Sequence, residues 1–431
     1  MARRSLIEWL RWQETLNPAE IELGLERVAE VAGRMAWPAP RFFLFTVGGT
    51  NGKGSAVALL EASLGVAGYR TGAYTSPHLL RYNERVRVGG EEVSDETLCR
   101  AFERVDHARG QVPLTYFEFG TLAAMDVFHE AGCEAVILEV GLGGRLDAVN
   151  LFDADVALVM SVAIDHTDWL GPDREAIGRE KAGIFRPGRP AVCGDPEPPE
   201  SLRRVARGLG AKLYVAGQDY QFAPDGGGWR WQHGERTLAN LPRPLLAGAF
   251  QLRNAATVLM ALSLAEDRLP VPDEAIRAGL RRASLAGRLQ VLEGPVQRIL
   301  DVAHNPEAVR ELAGFLGGRP CDGRTHAVLA MLADKDIHGV VGELESRVDR
   351  WHVAGLESPR GWGARRLADA VRAVVPNGDL RVYPDVPAAY RGALAEADPG
   401  DRVVVCGSFQ TVGPVLRLET CRGRPDTVAD G

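Results

Sequence analysis

Apolar positions change their rhythm several times along this chain. MARRSLIEWLRWQ at the amino terminus and the stretch from Glu20 to Arg34 repeat them at helical spacing, and the second stretch ends before WPAPR. FFLFTV (Phe42 to Val47) is instead a short continuous apolar run that enters glycines, and after Lys53 AVALLEASLGVAG returns to helical spacing. A strand, a glycine loop and a helix are therefore predicted in that order. EAVILEV (Glu134 to Val140) and DVALVMS (Asp155 to Ser161) repeat the continuous run, which suits parallel strands buried on both faces. Strands alternating with helices favour a doubly wound α/β domain.

Tryptophans and glycines replace these runs between Gly217 and Leu241, where DGGGWRWQHGERT predicts a hairpin decoration without readable chemistry. Helices are predicted from Gln251 to Glu266 and from Asp273 to Arg282. Past LAGRLQ, fresh strand-like runs begin with RILDVA and continue through HAVLAML, RVDRWHVA, LRVY and DRVVVCG. The domain cut falls near Leu285. The fold class expected is α/β: a P-loop-type, mostly parallel sheet domain over residues 1–284, then a smaller Rossmann-like α/β domain over residues 285–431. The acidic, polar tail after Arg417 is expected to be loose.

At 431 residues the chain exceeds one ordinary core, in keeping with two domains. Its 45% hydrophobic and 25% charged residues are those expected of a soluble globular enzyme. No apolar run approaches the ~18 residues that cross a bilayer, and the amino terminus lacks the apolar stretch of a signal peptide. A cytoplasmic protein without a membrane span is expected. The six cysteines form no CxxC pair, which argues against a disulfide framework and a structural zinc site. The net charge of −7 has the wrong sign for a general nucleic-acid binder, so the local basic cluster of Arg81, Arg85 and Arg87 must have specific partners or none.

VGGTNGKGS, Val47 to Ser55, carries the most specific chemistry. Gly49, Thr50, Asn51, Gly52 and Gly54 offer backbone N–H groups to anionic oxygens, Lys53 neutralises phosphate charge, and Ser55 supplies a hydroxyl for a metal ion. The segment departs from GxxxxGK[ST], because Val47 replaces the first glycine and Gly54 separates Lys53 from Ser55. A plain motor ATPase or small GTPase is thus disfavoured.

GTNGKGS resembles the phosphate loop of the Mur ligase superfamily, especially its folate branch. Further segments resemble folylpolyglutamate synthases in the same order: TSPHLLRYNERV from Thr75, LTYFEFGTLAA from Leu114, LEVGLGGRLDAVN from Leu138 and DHTDWLG from Asp165. REKAGIFR from Arg179, DVAHNP from Asp301, MLADKD from Met331 and VCGSFQTVG from Val405 complete the series. The resemblance implies an ATP-dependent ligase. ATP phosphorylates a carboxylate, and the acyl phosphate is attacked by the amine of L-glutamate. Positioning and electrostatics carry such phosphoryl transfer. The implied acceptors are dihydropteroate and reduced folates. No nucleic-acid or membrane partner is expected, and the chain is expected to be a monomer.

By the same resemblance Mg2+, two ions, is held by Ser55, Ser76, Glu139 and His166, with Lys181 as a carbamate made from carbon dioxide. Hard oxygen donors suit that ion, and forming a carbamate needs a neutral amine, which burial favours. Lys53, Lys181 and His304 are the implied catalytic residues. Asn254, Arg288 and Asp301 join the nucleotide site, the second domain being expected to close it. Thr115, Phe117 and Asp147 are implied for the pterin, and His304 and Ser408 for glutamate. GRLQ departs from an expected aromatic after Arg288, which weakens a stacking role for Leu289. Each residue taken alone reads as ordinary: Phe117 as a core aromatic, Lys181 as a surface lysine.

A peptidoglycan-precursor Mur ligase shares this chemistry, but its usual additional amino-terminal domain has no room before Val47. A nucleotide-dependent switch would need the loop without Glu139, His166, Lys181 and TYFEF together. NPAEIELGLERV, Asn17 to Val28, resembles the start of enzymes that perform both glutamylations, and its loop is expected to help enclose the pterin. The alternative is a polyglutamate synthase alone.

Overall fold

The computed structural model describes residues 4–17 and 21–422. Pro18, Ala19 and Glu20, within the segment expected to enclose the pterin, lie outside the described residues. So does most of the tail after Arg417, although its beginning is helical, since a helix spans Phe409–Arg422. The chain divides into two compact units, Met1–Leu245 with Gln251–Ser284, and Leu246–Phe250 with Leu285–Gly431. None of the described helices is long and apolar enough to cross a membrane.

The first unit is built on eight strands: β1 (Phe43–Gly48), β2 (Thr71–Tyr74), β3 (Val86–Val88), β4 (Glu91–Glu92), β5 (Ala135–Glu139), β6 (Val156–Val159), β7 (Ala191–Cys193) and β8 (Leu213–Val215). Their order is 4-3-2-5-1-6-7-8. From β2 to β8 the pairs are parallel, and β3 and β4 add an antiparallel edge. β1 is buried at every position, as a central parallel strand covered on both faces must be. Register sets Val47 opposite Glu139 and Gly48 opposite Val159. The carboxyl ends of β5, β1 and β6 therefore lie side by side, where open α/β sheets bind ligands.

The helix Lys53–Val66 leaves β1 through the glycine loop and packs on the helix Asp273–Arg282. A Cβ on Gly279 would stand 2.4 Å from Ser63 Oγ, so glycine is what lets these helices approach. The second amino-terminal helix spans Glu26–Met35, later than the run from Glu20 suggests, because Gly24 interrupts that run. The expected hairpin is a three-stranded antiparallel sheet of β9 (Gln221–Asp225), β10 (Gly228–His233) and β11 (Arg236–Leu241). Trp229 and Trp231 are fully buried and donate their indole N–H groups to Pro242 O at 2.8 Å and Ala256 O at 3.1 Å. Two tryptophans on one strand face thus do the work of a longer apolar run.

In the second unit β12 (Gln290–Leu292), β13 (Gln297–Leu300), β14 (Thr325–Leu329), β15 (Arg350–Ala354), β16 (Asp379–Tyr383) and β17 (Arg402–Cys406) take the order 12-13-17-14-15-16. All pairs are parallel except β12 with β13. Phe250 belongs to this unit, packing against a core that includes Leu289. Leu289 sits in left-handed backbone at φ 43° and is buried, which gives it a packing role in place of ring stacking.

Candidate active site

The glycine loop is held by the segment that follows β6. Thr50 donates its N–H to Ser161 O at 2.8 Å, Asn51 donates its N–H to Ser161 Oγ at 3.1 Å, and the Thr50 hydroxyl accepts from Ala163 N at 3.0 Å. Gly49 and Gly52 have φ of 137° and 86°, left-handed values that favour glycine. Space demands glycine as well. A Cβ on Gly49 would lie 2.9 Å from Met160 N, and one on Gly52 would lie 2.8 Å from Asn254 Oδ1. Gly52 stands at the N-cap of the helix Lys53–Val66 and brings no capping side chain, so the positive dipole end of that helix faces the loop without a side-chain cap. Lys53 arches over the loop, its Nζ donating to Gly49 O at 3.0 Å and Thr50 O at 3.1 Å.

Ser55 is buried one turn into this helix, and Gln251 Nε2 donates to its Oγ at 3.2 Å. Gln251 in turn accepts from Asn254 Nδ2 at 3.0 Å. Asn254 therefore belongs to the first unit, against the loop itself, and not to the second unit with Arg288 and Asp301. The sequence reading missed Gln251 and Ser161. Gln251 stands one helical turn before Asn254, a spacing that puts both on one face.

Glu139 ends β5 buried, and its Oε2 accepts Ser76 N–H at 3.2 Å. His166 takes a left-handed conformation, φ 52°, at the start of the helix Thr167–Leu170. Lys181 is buried on the helix Arg174–Ala182, 4% exposed, and so is no ordinary surface lysine. No group of three His, Cys, Asp or Glu side chains that could hold a metal occurs among the described residues. The expected donors include only two residues of those types, Glu139 and His166. Glu139 ends β5 and Ser55 opens the helix that follows the neighbouring strand β1, and a buried carboxylate and a buried hydroxyl are hard oxygen donors of the kind a divalent cation takes.

The TYFEF segment opens the helix Tyr116–Ala131. Thr115 caps it: its hydroxyl accepts Glu118 N–H at 3.3 Å while Glu118 Oε2 accepts Thr115 N–H at 2.8 Å. The T-x-x-E spacing encodes this reciprocal cap, a use of Thr115 that stands beside the pterin contact implied by the resemblance. Phe117 is half-buried, its ring 5.7 Å from that of Tyr74. Asp147 is buried with both oxygens engaged, by Leu142 N at 2.8 Å and Val149 N at 3.0 Å. Burial pushes its carboxyl up to about 6, against these backbone donors and the nearby Lys53 charge. Asp147 thus first shapes its own loop.

In the second unit Asp301 accepts Leu289 N–H and Ala303 N–H, each at 2.7 Å, and burial raises its pKa although the Arg288 charge opposes the rise. Arg288 lies 5.3 Å over the Phe409 ring. His304 Nδ1 is 2.9 Å from Val302 O, which requires the proton on Nδ1. The Ser408 hydroxyl accepts Thr411 N–H at 3.0 Å and is within 2.6 Å of Thr411 Oγ1, the geometry of a helix cap.

The Mur ligase, glutamate ligase domain family matches residues 287–409. The dihydrofolate synthase/folylpolyglutamate synthase of Escherichia coli (strain K12) is 47% identical over 421 residues, 98% of this chain and 97% of that protein. A solved structure of E. coli FolC in complex with DHPP and ADP superimposes with a TM-score of 0.91 at 47% identity, covering 98% of this chain and 99% of that one. A bifunctional folylpolyglutamate synthase/dihydrofolate synthase with Mn, AMPPNP and L-glutamate bound gives 0.89 at 49% identity, covering 97% and 98%.

Proposed function

This chain belongs to the dihydrofolate synthase/folylpolyglutamate synthase family, and we propose that its phosphate loop phosphorylates the carboxylate of a pteroyl acid so that L-glutamate can be joined to it. It is an ATP-dependent carboxylate–amine ligase. It adds L-glutamate to dihydropteroate, making dihydrofolate, and to reduced folates, making folylpolyglutamates, with release of ADP and phosphate. The observation that carries this reading is the loop at Gly49 and Gly52: glycine is required there by backbone and by space, no side chain caps the helix behind it, and the Lys53 side chain folds back onto the loop carbonyls.

Backbone N–H groups from Gly49 to Ser55 would bind phosphate oxygens, and Lys53 would exchange its bonds to Gly49 O and Thr50 O for the transferring phosphoryl group. Asn254, against Gly52, would hold the nucleotide side of the loop. Ser55 and Glu139, with Ser76 and His166, would hold Mg2+. Bound there, the ion would neutralise charge around the phosphoryl group. Burial of Lys181 supports its proposed carbamate, because the neutral amine is the form that attacks carbon dioxide and then loses a proton. Phe117 would pack on the pterin, with Thr115 and Asp147 holding the walls beside it. Arg288 and Asp301 are proposed for the nucleotide, His304 and Ser408 for glutamate. We further propose a cytoplasmic monomer acting without nucleic acid or membrane.

Competition between acceptors tests the dual assignment. Dihydropteroate and a monoglutamyl reduced folate should each support glutamate-dependent ADP release and inhibit one another's use. A chain that extends the folate while leaving dihydropteroate unused is a polyglutamate synthase only.

A further inference from the structure

The three arginines between Arg81 and Arg87 have different fates. Arg81 pairs with Asp95 at 3.0 Å and Arg87 with Glu61 at 2.8 Å. Arg85 has no carboxylate at ion-pair distance among the described residues. Its Nε donates to His78 Nδ1 at 2.9 Å, and its guanidinium lies 5.4 Å from the Tyr82 ring centre and 5.6 Å from that of Tyr116. A guanidinium resting on aromatic faces keeps its in-plane N–H groups available for a carboxylate. Because arginine only donates, His78 must accept through Nδ1 and so carries its proton on Nε2, which makes the imidazole a second donor.

Beside Arg85 are two buried hydroxyls, Tyr74 Oη and Tyr82 Oη, that have no hydrogen-bond partner among the described residues. Both converge on Gly120, whose Cβ would stand 2.8 Å from the first and 2.5 Å from the second. Burial pushes the Tyr74 hydroxyl up to about 12, and the Arg85 charge is near enough to oppose the rise.

The cluster adjoins the acceptor residues proposed above. Tyr74 contacts Phe117, and Tyr116 precedes Phe117 in the chain. The Arg85 carbonyl accepts Thr75 N–H at 2.9 Å, so Arg85 sits at the end of β2, where Tyr74 is opposite Leu138 and next to Glu139. β3, which follows Arg85, lies three strand spacings from β1, about 14 Å. A pteroylglutamate together with an arginine side chain spans that distance.

Resting on the ligase reading, we propose that Arg85, supported by His78, is an acceptor-specificity residue that holds the unreacted α-carboxylate of a folate's glutamyl group. Dihydropteroate has one carboxylate, and that group reacts. A monoglutamyl folate has two, one of which remains ionised beside Glu139 and Asp147. Like charge repels there, and Lys53 is committed to phosphate, so a further cation is needed.

The test is a KM comparison for Arg85→Gln and Arg85→Lys with each acceptor, at saturating ATP and glutamate, after thermal melting has checked folding. In Arg85→Gln the KM for a monoglutamyl reduced folate should rise about 10-fold or more, the scale of a lost charge-assisted hydrogen bond. The KM for dihydropteroate should change less than about 2-fold, and kcat should hold for both, whereas a general loss of structure would move all of them together. Arg85→Lys should recover part of the folate KM. Equal changes for both acceptors, or an unchanged folate KM, overturn the assignment. A wild-type chain that turns over neither acceptor overturns the ligase reading instead, and this assignment with it.

Discussion

Arg27 Nη2 lies 3.1 Å from Glu118 Oε1, and the same Glu118 caps the helix that carries Phe117. Arg27 also binds Glu22, whose Oε2 accepts from Asn17 at 2.8 Å. The amino-terminal segment is thereby fastened to the helix start beside the proposed pterin contact. Glu118 is buried and Arg27 is one-fifth exposed, so the pair is worth more than a surface ion pair.

Arg27→Gln should loosen that fastening without touching the phosphate loop. Stability should fall by about 1–3 kcal/mol, the cost of leaving a buried acceptor short of one hydrogen-bond donor. Dihydropteroate-dependent turnover should fall several-fold further than folate-dependent turnover. Equal losses on both acceptors would leave the segment with a structural role only.

Gly52→Ala should weaken ATP binding. The new methyl would stand 2.8 Å from Asn254 Oδ1 in left-handed backbone, costing on the order of 1–3 kcal/mol of local strain. The expected sign is a raised KM for ATP with little change in acceptor KM. Wild-type nucleotide binding, read by calorimetry with ADP, would contradict the loop geometry.

Lys181→Ala should be inactive and partly rescued by a short carboxylic acid that restores an oxygen donor in the vacated space. Intact-mass measurement under carbon dioxide should show the carbamate on the wild type and not on the variant. A free ammonium in the active, nucleotide-bound enzyme would remove Lys181 from the metal site.

Acid should destabilise the second unit through a chain of four groups, three of them buried. Asp401 Oδ2 meets His326 Nε2 at 3.3 Å, His326 Nδ1 meets His352 Nε2 at 3.1 Å, and His352 Nδ1 meets Tyr383 Oη at 3.1 Å. Burial and the neighbouring His326 lower the His352 pKa to about 4 from 6.5. Between those values the unfolded chain binds the proton and the folded one does not, so stability is lost as pH falls through that window. Replacing His352 with Asn removes this term. The melting-temperature advantage of wild type over His352→Asn should therefore shrink between pH 7 and pH 4.5. A constant gap would show that His352 does not titrate on unfolding.

The central parallel strands and the phosphate loop were legible because their signals are local: continuous apolar runs, and glycines with lysine and serine at a helix start. β2, β7, β8 and β12 were not, since three or four residues carry too little pattern to stand out. Thr115, Asp147 and Ser408 show a different limit. Their types suit substrate contacts and also suit caps and turns, and only the placement of Glu118, Leu142 and Thr411 reveals the second use. Gln251 needed its tertiary partner Ser55 to be noticed, and Arg85, visible in the sequence only as one of a basic cluster, stands apart once Arg81 and Arg87 are seen paired with Asp95 and Glu61.

Mass-resolved ADP release most directly tests whether the glycine loop drives glutamate ligation. Wild-type protein with ATP, Mg2+, glutamate and dihydropteroate or a reduced folate should release one ADP per glutamyl group added, and neither product should form when glutamate is omitted. Lys53→Ala should melt at nearly the wild-type temperature, its side chain being only partly buried, yet lose nearly all ADP and ligated product. ADP release that continues without glutamate, or near-wild-type turnover by Lys53→Ala, would contradict it.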